Sequence, residues 1–124
     1  MTSKINYGET PEFKKDFKKL LKKFKSLKDD LNLVKITVIE FFHIQRLNNL
    51  STFPIQGFCT DDIQVCKIKK FACMALKGRG SKSGIRVIYA FHCKNYKVEF
   101  IEIYFKGEKE KEDRCRVKKY LKNI

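Results

Sequence analysis

The hydrophobic pattern of this chain changes period partway along, and that change constrains the fold more than any other feature. From Phe13 to Phe42 apolar side chains return at helical steps; from residue 63 onward they alternate as in strands. Helical runs followed by strand runs imply an α+β arrangement, with helices laid on a mainly antiparallel sheet.

In "TPEFKKDFKKLLKKF", Thr10 stands as an N-cap and Pro11 as the first helical residue, where its missing N–H costs nothing. Phe13, Phe17, Leu20, Leu21 and Phe24 share one face. Lysines fill the rest, and Lys14, Lys18 and Lys22 form either a solvated surface or a rail for phosphates. Ser26 is placed to cap a second helix, with Asp29 and Asp30 in its first turn, running to about Leu50. Leu27, Leu31, Val34, Val38, Phe41 and Phe42 are its expected buried side. "LVKITVIEFF" has strand propensity, but the caps and the shape of a helical hairpin favour helix. His43 falls on this helix and is assigned no chemistry.

"SKINYGE" before the helices reads as a short strand, and "NNLSTFPIQGFCTDD" after them as a loop punctuated by Pro54 and Gly57. Three strands then follow, "IQVCKIKKFACM", "GIRVIYAFH" and "YKVEFIEIYF", the last two joined by a hairpin-sized "CKN". "KGEKEKEDRCRVKKYLKNI" closes the chain as a charged helix or a partly disordered tail.

Side chains alternate across a strand. Ile85, Val87, Tyr89 and Phe91 therefore belong against the helices, which sends Arg86, Ile88, Ala90 and His92 to the opposite, uncovered face. With neighbouring strands in suitable register, Lys67 and Lys69 join Arg86 there. Three cations on one face repel each other unless an anion compensates them. A phosphate would do so, held by the arginine fork and the compact ammonium groups.

The whole chain is strongly basic, with 28 Lys and Arg against 14 Asp and Glu, a net charge of +14. Such a surface attracts nucleic acid, ribosomes or an acidic protein. An apolar share of 43% argues against disorder, and 124 residues suit one domain, residues 1–124. The five cysteines have no paired C-x-x-C spacing, so neither a metal site nor a disulfide framework is expected, and reduced thiols in a cytoplasm are the simplest account. "MTSKINYGE" lacks an apolar signal region, and no apolar run reaches membrane length.

The order strand, two helices, three antiparallel strands and terminal helix resembles the RelE/ParE toxin superfamily. "TPEFKKDFKKLLKKF" resembles the opening helix of its RelE and HigB branches, and "VCKIKK" their K-x-[KR] strand pattern. "GRGSKSGIRVIY" is close to a HigB-like G-K-G-K-S-G-G-x-R-V-I-Y segment, and "FIEIYFKGEKEKED" resembles the final strand and its cationic exit. The implied fold is β-α-α-β-β-β-α: a small antiparallel-rich sheet packed on one face by an N-terminal helical hairpin, with a C-terminal helix.

The implied function is the toxin of a type II toxin–antitoxin pair, a ribosome-dependent endoribonuclease that cleaves messenger RNA with the RNA's own 2′-hydroxyl as nucleophile. By resemblance, Lys67, Lys69 and Arg86 are catalytic, with Lys69 the candidate base. Lys106 and Lys109 are candidates for the remaining cation. Arg79 and Lys82, in the glycine-rich loop, would join Lys14, Lys18 and Lys22 in contacting RNA or ribosome. Gly107 stands where RelE has an arginine, and Asp113 near its base-stacking tyrosine, for which Tyr104 or Tyr120 would have to substitute. His92 would either assist acid–base chemistry or hold the strand end. The implied partners are a cognate antitoxin, the ribosome and messenger RNA, with no membrane, metal or small-molecule cofactor. Two other readings share the fold: a ParE-like gyrase inhibitor, and a decayed toxin that binds RNA without cutting it.

Overall fold

The computed structural model describes residues 5–46, 51–76 and 83–124. Strand β1 (Asn6–Glu9) leads into helix α1 (Pro11–Lys23), with Thr10 Oγ1 accepting the Phe13 amide at 3.1 Å as the N-cap requires. Helix α2 (Leu27–Val34) follows, continues through a π-helical stretch (Lys35–Glu40), and ends in a single α-turn, α3 (Phe41–His43). Then come β2 (Thr52–Pro54), β3 (Ile63–Ile68), β4 (Ile85–His92), β5 (Lys97–Phe105) and helix α4 (Arg114–Lys122). The sheet order is β1-β5-β4-β3-β2, with β1 parallel to β5 and the other pairings antiparallel. Among the described residues no helix is long and apolar enough to cross a membrane.

The expected α+β fold is present. The helical hairpin covers one sheet face, where Phe13, Leu20, Phe24, Leu27, Leu31 and Val34 meet Ile85, Val87, Tyr89 and Phe91. Four details differ from expectation. The π-helical stretch carries more residues per turn than an α-helix, so the buried face slips by one position. Ile39 is therefore fully buried, while Phe41 is 38% exposed. The regular helix ends at His43, and Arg46 has a left-handed φ of 56°; residues 47–50 lie outside the described part. The Ser26 hydroxyl does not cap α2 but donates to Asp30 Oδ2 at 2.6 Å and accepts the Ala75 amide at 2.8 Å. The segment read as a loop contains β2, which pairs with β3 from Thr52–Ile68 to Pro54–Cys66.

A fifth difference bears on function. The second sheet face is not uncovered. Val65, Ile88, Ala90, Ile101 and Tyr104 form a second apolar cluster there, closed by Val117 of α4 and by Ile55 and Phe58. A bulge between Ile88 and Tyr89 in the β4–β5 ladder turns Ile101 into this cluster. Near its end at Lys67 and Arg86 the second face stays partly exposed to solvent.

Candidate functional site

The β3 and β4 ladders place the three expected cations together. Lys67 lies opposite Ile88 on β4 and Phe53 on β2, so all three share the second face. Lys69 lies just past the end of β3, its amide held by the Ser51 carbonyl at 2.9 Å and its ammonium 4.8 Å from the Phe53 ring centre. Arg86 enters from β4 opposite Tyr104, and its Nη1 donates to the Lys69 carbonyl at 2.7 Å.

Gly84 has a φ of +86°, and a Cβ there would sit 3.3 Å from the Phe105 ring, so glycine is required before the Arg86 strand. The buried Ser83 hydroxyl donates to the Phe71 carbonyl and accepts the Ile85 amide, fixing where the glycine-rich loop rejoins the sheet. Arg79 and Lys82 fall in residues 77–82, outside the described part. Lys106 is exposed beside this junction, its amide bonded to the Gly84 carbonyl at 2.8 Å.

Acidic residues that the sequence reading left unassigned complete the arrangement. Lys67 Nζ lies 2.7 Å from Glu112 Oε1, with only 18% and 12% of the two side chains exposed. Glu102, 1% exposed, binds the Lys109 ammonium and accepts the Asp113 amide at 2.8 Å. That carboxylate ties the segment after β5 back to the sheet and so sets Glu112 over Lys67. Partial burial on its own would lower the Lys67 ammonium; Glu112 and Tyr104 outweigh it and raise it above an ordinary lysine. Burial would likewise raise the Glu112 carboxyl, but the Lys67 hydrogen bond and charge hold it below the usual range. Among the described residues, no carboxylate ion-pairs with Lys69, Arg86 or Lys106.

Neither tyrosine is free to stack on a base. Tyr104 is 5% exposed, with the Lys67 and Lys109 ammoniums 5.9 and 5.8 Å from its ring centre. Its hydroxyl is buried, and the polar group that acts on it is the Lys67 ammonium. Tyr120 donates to Glu99 Oε1 at 2.6 Å and lies 2.7 Å from His92 Nε2. Its single proton goes to Glu99, so His92 Nε2–H is the donor of the second bond, and His92 holds α4 rather than facing the cations. The exposed aromatic beside the cations is Phe53, which the sequence hid in a segment read as loop.

Lys14, Lys18 and Lys22 are exposed along α1, as expected. It is Lys19 and Lys23, however, that share a groove with Tyr104, Glu108 and Lys109, linking the lysine face to the cation cluster.

No protein-family model matches the sequence, and no curated protein matches it. Solved structures do. A chain in the crystal structure of the archaeal RelE–RelB complex from Pyrococcus horikoshii aligns with a TM-score of 0.52 at 11% identity, over 85% of this chain and 98% of that one. A free-state structure of an arginine-to-alanine double mutant of the E. coli toxin RelE aligns with a TM-score of 0.48 at 17% identity, over 96% of each chain. The fold of this chain is RelE-like.

Proposed function

We propose that this chain, acting as one domain of residues 1–124, is the toxin of a toxin–antitoxin pair and cleaves messenger RNA on the ribosome in the cytoplasm. The reading rests on the RelE-like fold and on one observation: Lys67, Arg86 and Lys109 gather beside Tyr104 on the second sheet face, with Lys69 joined to Arg86 through its carbonyl. Attack of a 2′-hydroxyl on the adjacent phosphorus concentrates negative charge on the phosphoryl oxygens. Preorganised cations stabilise that charge most effectively where water is partly excluded. Arg86 offers a planar fork and Lys69 an ammonium with no paired carboxylate among the described residues, while Lys106 stands at the rim. Lys14, Lys18 and Lys22 extend the basic surface that messenger and ribosome would contact, and Arg79 and Lys82 add to the positive charge of the sequence before Arg86.

The same basic surface suits an acidic antitoxin, and the archaeal structure of similar fold is a RelE–RelB complex. No small-molecule cofactor enters the proposed chemistry.

The test is translation with purified ribosomes, a defined messenger and the full chain, with breaks mapped by primer extension. Breaks at the A-site codon that require ribosomes and disappear in Arg86→Ala support the reading. A second reading, RNA binding without cleavage, is favoured by the internal ion pairs of Lys67 and Lys109, which neutralise two of the cations. Ribosome binding with an intact messenger would select it.

A further inference from the structure

We propose that Glu112 is the proton acceptor of this site. The inference rests on the ribonuclease reading above. A 2′-hydroxyl becomes a nucleophile only as its proton leaves, and a protonated ammonium or guanidinium has no lone pair to receive it. Lys67 is held in its protonated form by Glu112 and Tyr104. A carboxylate can accept that proton directly, and the carboxylates near the cluster differ in what they have left to offer.

Glu102 is buried, with one oxygen taken by the Lys109 ammonium and the other by the Asp113 amide. Asp113 accepts the Arg116 amide at 3.1 Å as the N-cap of α4. Glu108 faces Lys23 at 3.7 Å. Glu112 alone among these contacts a cation of the cluster and keeps an oxygen in reserve. Its Oε1 is bonded to Lys67, whereas Oε2 lies 3.8 Å from Arg114 Nη1, beyond hydrogen-bond reach, and the carboxylate's other neighbour is its own backbone N–H. The charged and titratable groups around it are Lys67 from β3, Tyr104 from β5 beside Lys67, and Arg114 from the first turn of α4. Those cations keep the carboxylate ionised at neutral pH, the state in which it can accept a proton.

In the step this implies, the 2′-hydroxyl proton passes to Glu112 Oε2 while the oxygen's electron pair forms the new bond to phosphorus. The bond from phosphorus to the 5′-oxygen breaks, and its electron pair stays on that oxygen, which takes a proton from a neighbouring ammonium or from water. The products are a 2′,3′-cyclic phosphate and a free 5′-hydroxyl. Glu112 then returns its proton to solvent. Lys67 touches the phosphate while fixing the carboxylate, and Glu102 acts as a positioning residue by anchoring the segment that carries it.

The same contact allows a simpler role, in which Glu112 only shields Lys67 until RNA displaces it. The two roles predict opposite effects of Glu112→Gln. The experiment uses full-length protein on ribosomes programmed with a defined messenger, with single-turnover cleavage and ribosome binding measured separately. If Glu112 is the acceptor, Glu112→Gln cuts the cleavage rate by about 100-fold or more, while binding is unchanged or tighter. Glu112→Asp retains part of the rate. The wild-type rate stays level from about pH 6.5 to pH 9, because a carboxylate is already ionised there. A rate in Glu112→Gln equal to or above wild type overturns the inference in favour of shielding. A wild-type rate that climbs about tenfold per pH unit over that range assigns the proton to a lysine instead, and this measurement needs no variant to fold. A wild-type protein that makes no breaks on programmed ribosomes removes the ribonuclease reading itself, a result distinct from the loss of Glu112 alone.

Discussion

Arg86 and Lys69 are coupled through the backbone: Arg86 Nη1 donates to the Lys69 carbonyl oxygen at 2.7 Å, and a second contact at 3.3 Å reaches its own neighbour, the Ile85 carbonyl. One face of the guanidinium fork thus holds the turn after β3, and its remaining donors are available to a phosphate. Arg86→Ala removes both functions and is expected to lower single-turnover cleavage by about 100-fold or more. Arg86→Lys keeps the charge but not the fork, so it should recover only part of that loss. Arg86→Ala also gives up the guanidinium's hydrogen bonds to the Lys69 and Ile85 carbonyls, so it should cost about 1–3 kcal/mol of stability by denaturant unfolding, and Arg86→Lys less. A variant that cleaves normally would remove Arg86 from the site.

On the ribonuclease reading proposed above, Phe53 is the aromatic placed to stack on a base. It is 38% exposed on the edge strand β2, directly across from Lys67, with the Lys69 ammonium over its ring. Stacking of one base on such a ring is worth about 1–3 kcal/mol. Phe53→Ala should therefore weaken binding of single-stranded RNA by about tenfold or more, measured by fluorescence anisotropy at fixed salt, and Phe53→Trp should not weaken it. Equal loss in both variants would indicate that the edge strand, rather than the ring, had been disturbed.

The parts of this architecture legible in the sequence are those written in local periodicity. The buried stripe of α1 follows from Phe13, Leu20 and Phe24, and the helix-facing side of β4 from Ile85, Val87, Tyr89 and Phe91. The convergence of Lys67, Lys69 and Arg86 needed only alternation and adjacent strands. The π-helical stretch was hidden because local periodicity carries no sign of it; in the fold its two ends meet β1, where the Tyr7 hydroxyl donates to Glu40 Oε2 at 2.9 Å and lies 3.2 Å from the Lys35 carbonyl. β2 was hidden because three residues have no period of their own and depend on pairing with β3. The Lys67–Glu112 pair spans 45 positions, and nothing in "GEKEKEDR" distinguishes Glu112 from its exposed neighbours. What singles it out is Glu102, fully buried on β5 and drawing that segment inward.

His43 gives the fold a defined acid sensitivity. Its Nε2 lies 2.7 Å from the buried Tyr89 hydroxyl and its ring stacks on Phe91 at 4.1 Å. Burial lowers its pKa to about 4. A histidine whose folded pKa is depressed favours the folded state above its unfolded value near 6.5, and that contribution is lost as pH falls toward 4. The urea midpoint should therefore drop between pH 7 and pH 4, and His43→Gln should flatten that part of the profile while lowering stability at pH 7. An unchanged slope in the variant would assign the acid sensitivity to carboxylates instead.

The dock of α4 should control the geometry of Glu112. The helix is attached by fully buried Val117 and by Tyr120, whose hydroxyl donates to Glu99 and accepts from His92. Its first residue, Arg114, follows Glu112 by two positions, so movement of the helix is passed directly to the carboxylate. Tyr120→Phe removes both hydrogen bonds and leaves Glu99 and His92 half-buried without that partner, at a cost of about 1–2 kcal/mol. Hydrogen exchange should accelerate in residues 114–122 well beyond any change in β4, because the sheet keeps its packing against α1 and α2. If Glu112 depends on that anchorage, the cleavage rate of Tyr120→Phe falls while its ribosome affinity does not. Uniform acceleration across β4 and α4 would instead mean that the helix and the sheet open as one unit, and that Tyr120 stabilises the whole fold rather than the placement of Glu112.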